Sequence, residues 1–143
     1  MTRTSRLLFS ATLLSVPLSL APAHAATWPA SVVGSWRGVA NQTPIRLDIT
    51  SQDPAGKCKA IKGTMNNEPS GGASNIQGFY CPESGRITFA RKDTSSNDTF
   101  QFYSGNLSDA GEVLRIGGIF AEINMPEHMG EYNFCAELRK PKM

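Results

Sequence analysis

KCKAIKGTMNNEPSGGASNIQGFYC, residues 57–81, reads as two short ribbons folded back on a turn. Its centre, NNEPSGGA, gathers the glycine, proline, asparagine and serine that tight turns require, and no 3.6-residue apolar period runs through it. Centring the hairpin there sets Gly63 opposite Ile76 and Ile61 opposite Gly78, and the same register brings Cys58 opposite Cys81. Both cysteines then share a face with Ala60, Lys62, Gln77 and Phe79. Directly opposed cysteines in a non-hydrogen-bonded pair approach bonding distance, so the register predicts a Cys58–Cys81 disulfide.

The same habit extends to both sides of this hairpin. TPIRLDIT alternates Ile45, Leu47 and Ile49 against Arg46, Asp48 and Thr50, as a strand with one wet face does. RITFARK, DTFQFYSG and EYNFCAEL repeat it, with Ile87 and Phe89, Phe100 and Phe102, then Tyr132 and Phe134. Turn-rich connectors separate these segments, and none is long enough to be a crossover. Strands are predicted over 34–40, 43–51, 57–65, 74–81, 86–92, 98–107, 112–123 and 131–139. Eight consecutive strands leave two exposed edges unless the first pairs with the last. The fold expected is therefore all-β, an eight-stranded antiparallel up-and-down β-barrel. A two-sheet sandwich is the alternative, and it needs longer connections between sheets.

Residues 1–25 have the form of a signal peptide: Arg3 and Arg6, an apolar run broken by Pro17 and Pro22, then Ala23-His24-Ala25. Residues 26–143 then form a single secreted or periplasmic domain, with no membrane association once the leader is cleaved. The chain carries 14 Lys and Arg against 12 Asp and Glu; two of the arginines lie in the leader, which balances the remainder at twelve each. No net positive field is left to attract nucleic acid or an anionic membrane. Lys57, Lys59 and Lys62 alternate along one strand as a solvated face does.

No catalytic or metal-binding constellation is present. Cys58, Cys81 and Cys135 fit no zinc spacing, and His128, in NMPEHMGE, is the one histidine outside the leader. Asp48, Glu122 and Glu137 are isolated, and no nucleophile has a base at a recognised spacing. The chain reads as a non-enzyme with no cofactor. Cys135 shares a face with Asn133 and Glu137, which points it outward as a free thiol or an intermolecular bridge.

GSWRG at 34–38, KGTM at 62–65, NIQGFY at 75–80 and FYSGNLSDAG at 102–111 resemble the avidin and streptavidin family. The resemblance runs over nearly the whole predicted domain and implies a secreted eight-stranded barrel, commonly tetrameric. It also implies a biotin site that this chain does not keep. Gly38 stands where an asparagine for the ureido oxygen is expected, and Met65 replaces the tyrosine ending strand three. Tyr103 stands in place of the strand-six tryptophan, Ile119 falls near the strand-seven tryptophan, and strand eight lacks an aspartate. Tight biotin binding is not expected, because a desolvated ureido group needs every partner satisfied.

Trp36, between Gly34 and Gly38, is predicted to lie across the barrel floor. The inward face is expected to carry Ile45, Leu47, Ile49, Ile76 and Tyr132. It also carries the candidate ligand contacts Trp36, Ile61, Met65, Tyr80, Phe89, Phe102 and Phe134, with Tyr103 at the rim if the strand-six register shifts. Such a face either holds one small, mainly apolar ligand or packs itself solid. The function expected is a small-ligand binding module. A protein-binding module or inhibitor of an extracellular enzyme, acting through the loops NNEPSGGA and NMPEHMGE, is the alternative. Strand seven, EVLRIGGIFAEI, is apolar on both faces, which points to burial of the outer wall in a homo-oligomer.

Overall fold

The computed structural model describes residues 28–68, 72–92, 100–123 and 130–140. The predicted leader, His128 and parts of both long loops lie outside the described residues. The strands are β1 (Gly34–Ala40), β2 (Thr43–Gln52), β3 (Lys59–Asn67) and β4 (Ala73–Cys81), followed by β5 (Arg86–Lys92), β6 (Phe100–Asp109), β7 (Val113–Ile123) and β8 (Gly130–Arg139). Each pairs antiparallel with the next, and the last returns to the first. At that seam Arg37 lies opposite Glu137 and Ala40 opposite Phe134. The sheet is a closed eight-stranded barrel.

The hairpin register is the expected one. Gly63 faces Ile76 and Ile61 faces Gly78, and beyond the last paired residues Cys58 and Cys81 are joined. Alternation along each strand sends one set of side chains into a continuous core, including Trp36, Ile45, Leu47, Ile49, Ile76, Ile87 and Ile116. On β8, Cys135 is exposed, as its shared face with Asn133 and Glu137 predicts.

One end of the barrel is sealed by the segment leading into β1. The indole Nε1 of fully buried Trp36 donates to the Val32 carbonyl at 3.0 Å, and the Tyr80 hydroxyl donates to the Pro29 carbonyl at 2.7 Å. Gln52 clamps the same segment twice, accepting from Val32 N at 3.1 Å and donating to the Ala30 carbonyl at 2.8 Å. Trp28 lies over Gly85, whose φ of +66° and contact with the indole ring leave no room for a side chain. Two polar side chains and two indoles thus fasten a strap across the floor, where Trp36, Gln52 and Tyr80 each donate to a backbone carbonyl.

The outer wall carries exposed apolar side chains on β4, β6 and β7: Phe79, Phe102, Ile119 and Ile123. Phe102 was expected inside and is 45% exposed, whereas Tyr103 is 1% exposed. The face of β6 is set by its whole length. Tyr103, Gly105 and Leu107 are buried together, and Gly105 makes room for Phe134, whose Cζ would lie 3.1 Å from an added Cβ. Putting Phe102 inside would expel Leu107 and press Ser104 and Asn106 into the core.

Candidate functional site: the barrel mouth

The end opposite the strap is where the inner face becomes polar. Below it the interior is filled by rings. Tyr103 is sandwiched between Phe89 and Phe120, with centroids 4.7 and 4.8 Å away, and Phe134 meets it edge-on at 5.1 Å. Tyr132 tilts against Phe120 at 5.2 Å. These are favoured aromatic geometries, and together they close the middle of the barrel.

Above the rings lies a recess of about 160 Å³ lined by Ala40, Asn41, Thr43, Asn67, Arg91, Gln101, Tyr103, Phe120, Glu122 and Tyr132. Arg91 follows Ile87 and Phe89 on the inward face of β5 and is only 6% exposed. Its Nη1 donates to Asn67 Oδ1 at 3.0 Å and to Gln101 Oε1 at 3.3 Å. The Tyr103 hydroxyl donates to the same Gln101 oxygen at 2.9 Å, and Gln101 Nε2 donates to Glu122 Oε1 at 2.7 Å. The Gln101 amide therefore separates the cation from the carboxylate. Two buried polar atoms, Arg91 Nε and Ser74 Oγ, have no hydrogen-bond partner among the described residues.

The inner face, expected to be apolar throughout, therefore ends in a polar and charged cluster at the mouth. The predicted contacts divide by depth. Trp36, Ile61 and Tyr80 lie toward the strap, Met65, Phe89 and Phe134 lie in the interior, and only Tyr103 lines the recess. Arg91, Gln101 and Asn67 are absent from the sequence reading, which takes Glu122 for an isolated acid. The parity of β5 carried the signal for Arg91, two residues past Phe89. Gly38 faces inward at the seam, and a Cβ there would run into the Cys135 carbonyl. The asparagine that the family resemblance places at this position has no space in this backbone.

Burial pushes the Tyr103 phenol from 10.0 up to about 12, with Arg91 pulling in the opposite direction. The hydroxyl is thus a neutral donor throughout the ordinary pH range. Its protonated form is favoured in the folded state, so this contribution is complete below pH 10 and is lost as pH rises toward 12. The expected loss at pH 12 is about 2 kcal/mol of unfolding free energy. Urea unfolding from pH 8 upward, in a Cys135→Ser background to prevent thiol exchange, measures it; Tyr103→Phe is expected to flatten that part of the profile. Tyr80, also raised to about 12 by burial, contributes with the same sign and stays in both chains.

No protein-family model matches the chain, and no curated protein matches it. Among solved structures, apo shwanavidin matches with a TM-score of 0.55 at 13% identity, over 75% of this chain and 100% of that one. A low-affinity mutant of shwanavidin matches with a TM-score of 0.55 at 14% identity, over 76% of this chain and 97% of that one. The backbone correspondence and the closed eight-strand order agree, and the fold of this chain is the avidin-like β-barrel.

Proposed function

We propose that this is a secreted or periplasmic small-molecule-binding barrel whose site is the polar recess at the mouth. One observation carries the reading: a concave site at the open end of a closed sheet, lined by the buried Arg91, whose Nε has no hydrogen-bond partner among the described residues. The avidin-like fold supports a binding role over catalysis, as does the lack of any cluster of His, Cys, Asp and Glu able to hold a metal among the described residues. The lining argues for a polar ligand rather than the apolar one the sequence implied, because the apolar interior is already occupied by Phe89, Tyr103, Phe120 and Phe134. Exposed Phe102, Ile119 and Ile123 support self-association through the outer wall of β6 and β7 as a companion property. The loop-borne inhibitor reading rests on segments that fall partly outside the described residues.

A polar fragment library titrated into the ¹⁵N-labelled chain tests the site. Shifts are expected at Arg91, Gln101, Tyr103 and Glu122, with the Trp36 indole unmoved. Shifts concentrated at Phe102 and Ile119 instead would make the outer wall the binding surface and refute the assignment.

A further inference from the structure

We propose that the recess receives a small organic ammonium ion, held by the Glu122 carboxylate beside the ring of Tyr132. The inference rests on the mouth being the ligand site and adds the class of ligand.

The two charges of the recess are not equally open to a ligand. Arg91 is 6% exposed, its Nη1 already donates to Asn67 and Gln101, and its Nε is closed to solvent. Glu122 is half-buried and lines the recess. Its Oε1 accepts from Gln101 at 2.7 Å, and Oε2 accepts no hydrogen bond among the described residues. A carboxylate offers about four lone-pair sites on its two oxygens, so most of its acceptor capacity remains. The ion pairs among the described residues engage Glu68, Asp48, Glu137 and Asp109, which leaves Glu122 without a cation.

The fold sets an aromatic wall beside that carboxylate. Glu122 lies two residues past Phe120 on the inward face of β7, and Phe120 pairs with Tyr132 on β8. The residue opposite Glu122 is Gly130, and a Cβ there would lie 3.0 Å from the Tyr132 hydroxyl oxygen. The missing side chain is what lets the Tyr132 ring extend along the wall toward the acid. Glu122 and Tyr132 are therefore diagonal neighbours on the inner wall, and both line the recess.

Chemistry selects the class. A ring quadrupole attracts an ammonium lying within about 6 Å of its centroid, and the attraction grows as water is excluded. Hard metal ions instead demand a cage of oxygen ligands. No group of three side chains able to hold a metal occurs among the described residues. Arg91, on β5, opposes a second positive charge at closer range, which confines the ammonium to the β7–β8 side and disfavours a dication. A recess of about 160 Å³ limits the ligand to a few heavy atoms.

The test uses the whole ¹⁵N-labelled chain at neutral pH, with ionic strength held constant by sodium chloride, and follows the Gln101 side-chain amide. Ethylammonium is expected to move it saturably, and ethanol, a neutral analogue of the same size, to bind at least tenfold more weakly. Glu122→Gln, which keeps an acceptor for Gln101, is expected to weaken ethylammonium at least tenfold. Tyr132→Leu is expected to weaken it three- to tenfold, and Tyr132→Phe, which keeps the ring, to preserve it. Equal affinity for ethylammonium and ethanol, or tighter binding of acetate than of ethylammonium, would overturn the ammonium inference and leave the mouth a ligand site. Unchanged ethylammonium affinity in Glu122→Gln or in Tyr132→Leu, with the amide spectrum otherwise preserved, overturns it likewise. If ethylammonium, ethanol and acetate all leave every mouth resonance unmoved, the proposed site falls as well.

Discussion

Trp36→Ala is expected to lower the unfolding free energy by about 3–5 kcal/mol, the usual cost of truncating a fully buried large aromatic. Trp36 is completely enclosed, lies beside Leu47 across the β1–β2 ladder, and holds the Val32 carbonyl through its indole nitrogen. Truncation opens a cavity at the floor and frees the strap from one of its fastenings. Trp36→Phe keeps much of the volume but orphans the Val32 carbonyl, and is expected to cost substantially less. Urea unfolding of the three chains supplies the comparison. Fragment binding at the mouth is expected to survive in both variants under native conditions, because the stack of Phe89, Tyr103 and Phe120 lies between the two ends. An effect of Trp36→Ala below about 1 kcal/mol would show that the floor is not a packed core.

Removing the disulfide has the second large effect. The paired replacement of Cys58 and Cys81 by serine is expected to lower stability by about 3 kcal/mol, as a bridge closing a loop of this length does by restricting the unfolded chain. The bond lies beyond the ladder of the β3–β4 hairpin, 23 residues apart in sequence, with Cys58 exposed, so little native packing is lost with it. The effect is therefore expected chiefly as slower refolding and a lower urea midpoint, with an unchanged native amide spectrum. Cys135→Ser serves as the common background, since a free exposed thiol otherwise exchanges with the bridge. A native spectrum altered across β2 and β5 would show that the bridge shapes the barrel rather than its denatured ensemble.

The barrel was legible in the sequence because its determinants are local. Period-two alternation gave all eight strands to within two residues, and one hairpin turn fixed the register that joins Cys58 to Cys81. Faces were legible wherever one parity was clearly more apolar, as in Ile45, Leu47 and Ile49. They were misread where it was not. In FQFY at 100–103 both parities carry aromatics, and the choice is made by Gly105 and Leu107 further along and by Phe134 from β8. The polar mouth was hidden for a different reason. Arginine is rarely buried, so residue type gives no reason to place Arg91 inside although its parity continues that of Ile87 and Phe89. Among the described residues, Asn67 and Gln101, supplied by β3 and β6, accept from its guanidinium and offset the cost of that burial. The strap over 28–33 has no periodic signal, and its partners Gln52 and Tyr80 are distant in sequence.

The pairing of β1 with β8 bears on when this protein can first exist as a folded object. A ring closed by its eighth ribbon cannot be completed before that ribbon has been made. Until residues 130–139 emerge, β1 and β7 each offer bare amides and carbonyls to any passing strand. Such a polypeptide gains its ordered state in one late step, when β8 closes the ring on β1.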